Sequence, residues 1–461
     1  MEKKPAKILI ANRGEVALRI IRACRELELP SILVFSEADR NSLPTRLADE
    51  AICIGGAPAT DSYLKVDRII AAAELTGATA IHPGYGFLSE NAHFAEVCEA
   101  CNLTFVGPGA KAIAALGDKA AARDTMKAAG VPVIPGSDGC VANIPDALMQ
   151  AERIGYPVML KATAGGGGKG MRAVMDANQL PGAFHTASAE ARLAFGQGDL
   201  YLEKYLIEPR HVEIQLLADR QGKVLTFGDR DCSIQRNHQK LIEESPCPVL
   251  PENVRKQMCE AAVKAAQAVG YLGVGTVEFL YEPSSQKYFF MEMNTRLQVE
   301  HPVSEMVTGR DLVRAQLEIA MGEPLRWKQS EIRTQGHAIE IRVNSEDPRH
   351  DFQPCPGLVK FYQAPGGFGV RVESHLYDGY EVPAYYDSLL AKVIVHDATR
   401  ELARRKALEA LRELSIEGVT TTVPFTREVL STPEFIEGKY HTATLEKILR
   451  ARAHDEDLAL R

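Results

Sequence analysis

No apolar run in the 461-residue chain approaches the roughly 18 residues that span a bilayer. No block of lysines and arginines is present either, and the formal net charge is −8. Nucleic acid and membrane surfaces are therefore excluded as main partners, and small anions must be captured by individually placed cations. The opening Met1-Glu2-Lys3-Lys4 runs into a strand pattern instead of the apolar core of a secretion signal, so a cytoplasmic protein is expected. Regular cysteine spacing is missing. The nine cysteines are an odd, scattered set, as suits free thiols in a reducing compartment. Cys98-x-x-Cys101 lies in a helical pattern with no second pair and no nearby histidine, so no metal or redox role is expected of it. Internal repeats and low-complexity tracts are absent as well. What is present, 45% apolar and 25% charged residues, suffices for two or three well-packed domains.

The N-terminal part alternates strands and helices, which implies a parallel sheet. Residues 7–11 read as a strand, Asn12-Arg13-Gly14-Glu15 as a turn, and Val16, Ile20, Cys24 and Leu27 as one face of a helix. Residues 31–35 form the next strand, and residues 80–82 a strand entering His82-Pro83-Gly84-Tyr85-Gly86, with a helix over 90–101. This is a Rossmann-like half whose first turn lacks G-x-G-x-x-G, so a nicotinamide cofactor is not expected. From Asp118 the texture changes to a helix, a Pro-rich stretch and short strands with Gly-rich turns. After Gly322-Glu323-Pro324, strands over 337–343 and 357–362 and a helix over 399–414 read as a third, α+β domain. The predicted division is 1–117, 118–334 and 335–447, with a tail over 448–461.

Two lysines, Lys161 and Lys169, bracket Gly165-Gly166-Gly167-Gly168 between two strand-like segments. Glycine lets backbone N–H groups approach phosphate oxygens, so the loop suits an anion, although a plain flexible hairpin is the alternative. No helix follows and Gly170 replaces the Ser or Thr of a Walker loop, so both the dinucleotide and Walker readings fail.

Residues 275–281 and 287–294 read as a hairpin that sets Glu278 opposite Glu292. Facing carboxylates repel, and a divalent cation would reverse the sign. Alternation puts Asn294 and Arg296 on the face of Glu292, with Gln298 and Glu300 following if the chain stays extended. A solvated strand face is the alternative. The polar run 230–240 fits a surface loop as well as it fits a site.

These residues resemble the biotin carboxylase component of biotin-dependent carboxylases, an ATP-grasp family, over about residues 8–445. The likeness rests on ANRGE (11–15), HPGYGFLSEN (82–91), the GGGGKGM loop, EKYL (203–206), PRHVEIQ (209–215), RDCSIQ with HQK, and EMNTRLQVEHPV (292–303). It implies a Rossmann-like pre-ATP-grasp domain, an ATP-grasp domain with a mobile lid over about 133–205 that is open when empty, and a C-terminal α+β domain.

The resemblance implies ATP contacts at Lys119, Lys161, Gly167, Gly168, Met171, Glu203, Lys204, Tyr205, Leu206, His211, Gln235, His238, Glu278 and Glu292. It implies Mg2+ or Mn2+ at Glu278, Glu292 and Asn294, and bicarbonate at Lys240, Arg296, Gln298 and Val299. Glu300 would be the base that deprotonates bicarbonate, with Arg296 and Lys240 beside it, and Arg342 would bind biotin and stabilise its enolate. A placed carboxylate, a cationic cage and a fixed guanidinium are what carboxyphosphate chemistry requires. Asn237 and Lys169 stand where many relatives carry arginine.

No Met-Lys-Met biotinylation signal occurs, so biotin is expected on a separate biotin carboxyl carrier protein, with a separate carboxyltransferase. The resemblance also implies a homodimer through the first helix (Arg19, Arg22, Glu26) and residues 368–371. Acetyl-CoA is the expected final acceptor, ahead of pyruvate, propionyl-CoA or 2-oxoglutarate. The competing readings are another ATP-grasp carboxylate ligase and a catalytically dead nucleotide-binding scaffold.

Overall fold

The computed structural model describes residues 6–162, 171–195 and 197–459. The β-branched and apolar runs near the N-terminus form β1 (Ile8–Ile10), β2 (Ser31–Ser36), β3 (Glu50–Gly55), β4 (Ala80–His82) and β5 (Thr104–Phe105). All pair in parallel, in the order β3-β2-β1-β4-β5. Strand order reverses at β1, which opens a crevice at the carboxyl ends of β1 and β4. The loops there are the ANRGE and HPGYG segments. They are tied together by Asn12 Nδ2, which donates to the carbonyls of Pro83 (2.6 Å) and Tyr85 (2.7 Å). Helix α1 (Gly14–Glu26) follows at once, and Gly14 takes φ +65°, which glycine adopts without a Cβ clash.

A second, smaller sheet is formed by β6 (Val158–Ala162), β7 (Met171–Val174) and β8 (Leu200–Lys204), antiparallel in the order β7-β6-β8. Helices Ile144–Ile154 and Leu180–Phe195 cover it. Val158, Leu160, Leu200, Leu202, Ala147 and Ala187 form its own core, so this unit buries its apolar face without the rest of the chain.

The largest sheet takes β9 (Arg210–Ala218), β10 (Val224–Arg236), β11 (Gln239–Ser245), β12 (Gly273–Glu282), β13 (Lys287–Asn294), β14 (His337–Asn344), β15 (Val370–Ser374) and β16 (Leu389–Asp397). Its order is β13-β12-β9-β10-β11-β14-β16-β15, antiparallel throughout. The strands beyond residue 335 thus extend the sheet begun before it, because β11 would otherwise be a buried edge with unpaired backbone groups. The strand expected over 357–362 is broken into Gly357–Leu358 and Phe361–Gln363, which pair with different partners.

Period-two alternation gives this sheet two unlike faces. Val212, Ile214, Leu216, Val277 and Phe279 pack on helix Glu252–Ala268, and Ile339, Ile341 and Val343 pack on helix Arg400–Glu413. The opposite face carries His211, Glu213, Arg230, Glu278, Glu243, Glu340 and Arg342, nearly all buried. These side chains are paired with one another except Glu340, whose carboxyl oxygens have no hydrogen-bond partner among the described residues and whose pKa burial pushes well above the usual range. All nine cysteines are free, including Cys98 and Cys101. Among the described residues no helix is long and apolar enough to cross a membrane.

Candidate active site

Register builds the site. Glu292 of β13 lies opposite Glu278 of β12, Glu278 opposite Glu213 of β9, and Glu213 opposite Arg230 of β10. Three carboxylates in a row would repel, and cations are inserted from above and from the end of the row. Arg230, fully buried, donates to Glu213 Oε1 at 2.5 Å, Gln215 at 2.6 Å and Ser304 at 3.0 Å. Lys240 enters from β11 and donates to Glu213 Oε2 (2.7 Å), Glu278 Oε1 (3.0 Å) and Glu300 Oε1. Burial opposes the Lys240 ammonium, but Cys232 and these carboxylates outweigh it and hold its pKa well above the ordinary lysine value.

Glu300 does not arrive on a continuing strand, as alternation had suggested. Strand β13 ends at Asn294, the chain bends through Thr295–Val299, and Glu300 caps helix α2 (His301–Thr308), whose Pro302 suits a first turn and cannot sit inside a sheet. The bend still delivers the expected side chains. Arg296 donates to Asn294 Oδ1 (3.0 Å), Gln298 Oε1 (2.9 Å) and Glu90 Oε2 (2.8 Å). Gln298 and Asn294 in turn donate to Glu278 Oε1, at 3.0 and 2.9 Å. Glu300 is fully buried, with Arg342 Nη2 on its second oxygen at 2.8 Å and Arg342 Nε on Glu243 at 2.6 Å. Burial alone would raise the Glu300 pKa. Lys240, Arg342 and Arg230 outweigh it and hold the carboxyl well below its usual range.

The nucleotide-side candidates are more spread. His211 Nε2 lies 2.9 Å from Glu278 Oε2. Lys119 is exposed, 3.7 Å from Glu292. Lys161 donates to Glu203 at 2.5 Å across the small sheet, with Met171 opposite Lys161 in the ladder. Glu203 and Lys204 end β8 and Tyr205 and Leu206 begin the crossing to β9, anchored by Lys204 N–H on Pro135 O (2.7 Å) and Tyr205 N–H on Pro157 O (3.0 Å). Gln235 is paired with Lys240 in the β10–β11 ladder. His238 is exposed in the two-residue turn, where Asn237 and His238 both take positive φ (+50° and +64°), as a type I′ turn demands. Asparagine tolerates that conformation well, which gives Asn237 a local reason. Gly167 and Gly168, with Lys169, lie outside the described residues.

Glu278 and Glu292, opposite each other in the ladder, and Asn294, two positions along β13, offer hard oxygens, the donor type that a magnesium-sized cation takes. Burial and the Glu278 charge push the Glu292 carboxyl up, with Lys119 and His211 offsetting only part. The residues therefore fit a cation between the two carboxylates. Among the described residues, the groups of three or more His, Cys, Asp or Glu whose ligand atoms lie within 4.8 Å of one another are His211 with Glu213 and Glu278, and Glu213 with Cys232 and Glu300.

Comparison with known proteins matches residues 4–113 to the biotin carboxylase N-terminal domain, 118–328 to the carbamoyl-phosphate synthase L chain ATP-binding domain, and 340–447 to the biotin carboxylase C-terminal domain. Biotin carboxylase 1 of Bacillus subtilis (strain 168) is 54% identical over 440 residues, covering 95% of this chain and 98% of its own. The chain belongs to the biotin carboxylase family.

As a member of that family it is an ATP-dependent ligase. A pyruvate carboxylase component from Methanothermobacter thermautotrophicus is 50% identical, covering 96% of this chain and 90% of its own. Among solved structures, the biotin carboxylase domain dimer of Hydrogenobacter thermophilus 2-oxoglutarate carboxylase, in complex with MgADP, ADP and bicarbonate, superposes with TM-score 0.87 at 47% identity over 97% of this chain and 98% of that one.

Sequence reasoning had given this biotin carboxylase family member no role for Glu213, Arg230, Glu243 or Glu90. A signal existed for the first: His211, Glu213 and Gln215 alternate with Val212, Ile214 and Leu216, the mark of a strand with one charged and one apolar face.

Proposed function

We propose that the chain carboxylates biotin on a separate biotin carboxyl carrier protein, using ATP and bicarbonate by way of carboxyphosphate, as the first half-reaction of acetyl-CoA carboxylase. The observation that carries this reading is the buried Glu300 carboxylate held between Lys240 and Arg342.

In this reading bicarbonate sits among Lys240, Arg296, Gln298 and the Val299 backbone, and Glu300 takes its proton as it attacks the ATP γ-phosphate. A carboxylate held so far below its usual range is a weak base. Bicarbonate drawing Lys240 toward itself, and biotin drawing Arg342, would relieve that hold and raise Glu300 basicity where the proton is to be moved. Carboxyphosphate splits into CO2 and phosphate, the phosphate takes the ureido proton of biotin, and the ureido nitrogen adds to the CO2 while the Arg342 guanidinium, charged at any working pH, stabilises the enolate oxygen. Mg2+, or Mn2+ in its place, would be held by Glu278, Glu292 and Asn294 and would neutralise phosphate charge. The nucleotide is assigned to Lys119, Lys161, Gly167, Gly168, Met171, residues 203–206, His211, Gln235 and His238. The three-stranded unit, residues 133–205, is read as a lid that closes over it and excludes water. The division 1–117, 118–334 and 335–447 with a tail over 448–461, a homodimer with carrier and carboxyltransferase partners, and a cytoplasmic location belong to the same reading.

A second reading changes only the final acceptor. Relatives at about 50% identity include a 2-oxoglutarate carboxylase domain and a pyruvate carboxylase component, so either acid could replace acetyl-CoA. ATP hydrolysis that requires bicarbonate and rises with free biotin supports the carboxylation reading, and hydrolysis indifferent to both overturns it. The transferase that co-purifies with the chain decides the acceptor.

A further inference from the structure

Lys392 is fully buried, an environment hostile to an unpaired ammonium. It stands in β16 directly opposite Arg342 of β14, so the two cations leave the sheet side by side. Their targets are adjacent. Arg342 grips the Glu300 carboxylate at 2.8 Å, while Lys392 Nζ donates to the carbonyl of Val299, one residue earlier, at 2.8 Å. That carbonyl belongs to the peptide unit that carries the Glu300 N–H. Backbone and side chain of the same residue are thus held by a cross-strand pair.

The third contact of Lys392 leads out of the C-terminal region. Its Nζ lies 3.0 Å from Glu15 Oε1, in the first turn of α1, and the same oxygen accepts from the Tyr85 hydroxyl. Glu15 is itself 3% exposed, and its Oε2 has no hydrogen-bond partner among the described residues. Glu15 and Tyr85 come from the two loops at the carboxyl ends of β1 and β4, where the strand order reverses. One ammonium therefore joins the crevice of the N-terminal sheet to the bend that carries Glu300.

We propose that Lys392 is a positioning residue for biotin carboxylation, fixing the Val299–Glu300 peptide against the Glu15–Tyr85 pair so that the Glu300–Arg342 wall keeps one geometry. The inference rests on the carboxylation reading above. Lys392 itself touches no substrate in this account. It acts through the orientation of Glu300 and Tyr85, and a misplacement of about 1 Å in such a frame costs about 100-fold.

The test uses the purified full chain and measures ATP hydrolysis with bicarbonate, with and without free biotin, for wild type, Lys392→Met and Glu15→Gln. The expected result for Lys392→Met is a loss of about 10- to 100-fold in biotin-stimulated turnover, with KM for ATP within about twofold of wild type. A structural lysine would instead lower Tm and leave that split unchanged, and full biotin stimulation in a less stable Lys392→Met overturns the proposal. Should Lys392→Met fail to fold, Glu15→Gln, which keeps an acceptor oxygen but removes the charge facing Lys392, decides: a selective loss of biotin stimulation supports the proposal, and wild-type behaviour overturns it. A wild-type chain indifferent to biotin overturns the carboxylation reading and this inference together, whereas a responsive wild type with equally responsive variants overturns this inference alone.

Discussion

Arg342 Nη2 donates to Glu300 Oε2 at 2.8 Å, and the remaining Glu300 oxygen is taken by Lys240. Each oxygen of the base candidate is thus already engaged by a cation, and substrate must draw those cations off to free its basicity. Replacing Arg342 by lysine keeps a charge but loses the fork that also grips Glu243. Arg342→Lys is expected to lower biotin carboxylation by about 100-fold while bicarbonate-dependent ATP hydrolysis without biotin falls far less. Steady-state assays of both activities check this, and equal losses in the two would contradict it.

The cation reading of the hairpin makes a separate prediction. Glu292→Gln removes one of two facing carboxylates, so the Mg2+ concentration for half-maximal ATP hydrolysis is expected to rise about tenfold or more. Titration of activity with Mg2+ in wild type and variant tests it, and chelator treatment should abolish hydrolysis in both.

Glu244, almost fully buried, accepts from Arg400 at 2.6 and 2.9 Å, from Tyr440, and lies 2.5 Å from His337 Nε2. Burial pushes its carboxyl up, but Arg400 and His337 outweigh it and hold it far below the usual range. Glu244→Ala leaves the Arg400 guanidinium without its carboxylate, and a loss of about 3 kcal/mol in urea unfolding is expected.

His82 sits fully buried, with Nδ1 accepting the Gly84 N–H at 3.0 Å. Burial holds its pKa down at about 3. In the unfolded chain the ring takes a proton below about pH 6.5, which the folded site refuses. Stability from this group is therefore present above pH 6.5 and is lost as pH falls toward 3. His82→Asn keeps an acceptor for Gly84 and has nothing to titrate. Its stability drop between pH 7.5 and 5 is expected to be about 2 kcal/mol smaller than that of wild type in urea unfolding.

What was readable in the sequence was whatever lies close along the chain. Alternation and the turn at 283–286 suffice to set Glu278 against Glu292, and the ladder pairs them. The alternating helices and strands before residue 110 gave the parallel sheet, because each β-α unit packs on its neighbours. The extension of strand β13 to Glu300 failed because Pro302 and the helix it starts end the strand early, a tertiary convergence that period-two counting cannot express. Glu243 and Lys392 were unreadable for a related reason. Their partners lie 99 and 93 residues away along the chain, and only sheet order brings them together. Arg230 meets Glu213 across the short β9–β10 hairpin, but a register shift between Thr226 and Asp229 hides that pairing from simple alternation. The joining of the C-terminal strands to the large sheet was hidden likewise, since a strand's sequence does not name its neighbour.

The central claim is that the buried carboxylate of Glu300 moves the bicarbonate proton during biotin carboxylation. The most direct measurement is transfer of label from 14C-bicarbonate to free biotin by wild type and Glu300→Gln, a near-isosteric change that removes the charge and leaves one acceptor oxygen where Arg342 and Lys240 had two. The account predicts labelled carboxybiotin from wild type and a loss of at least about 100-fold in the variant. Labelling by Glu300→Gln at the wild-type rate would contradict it.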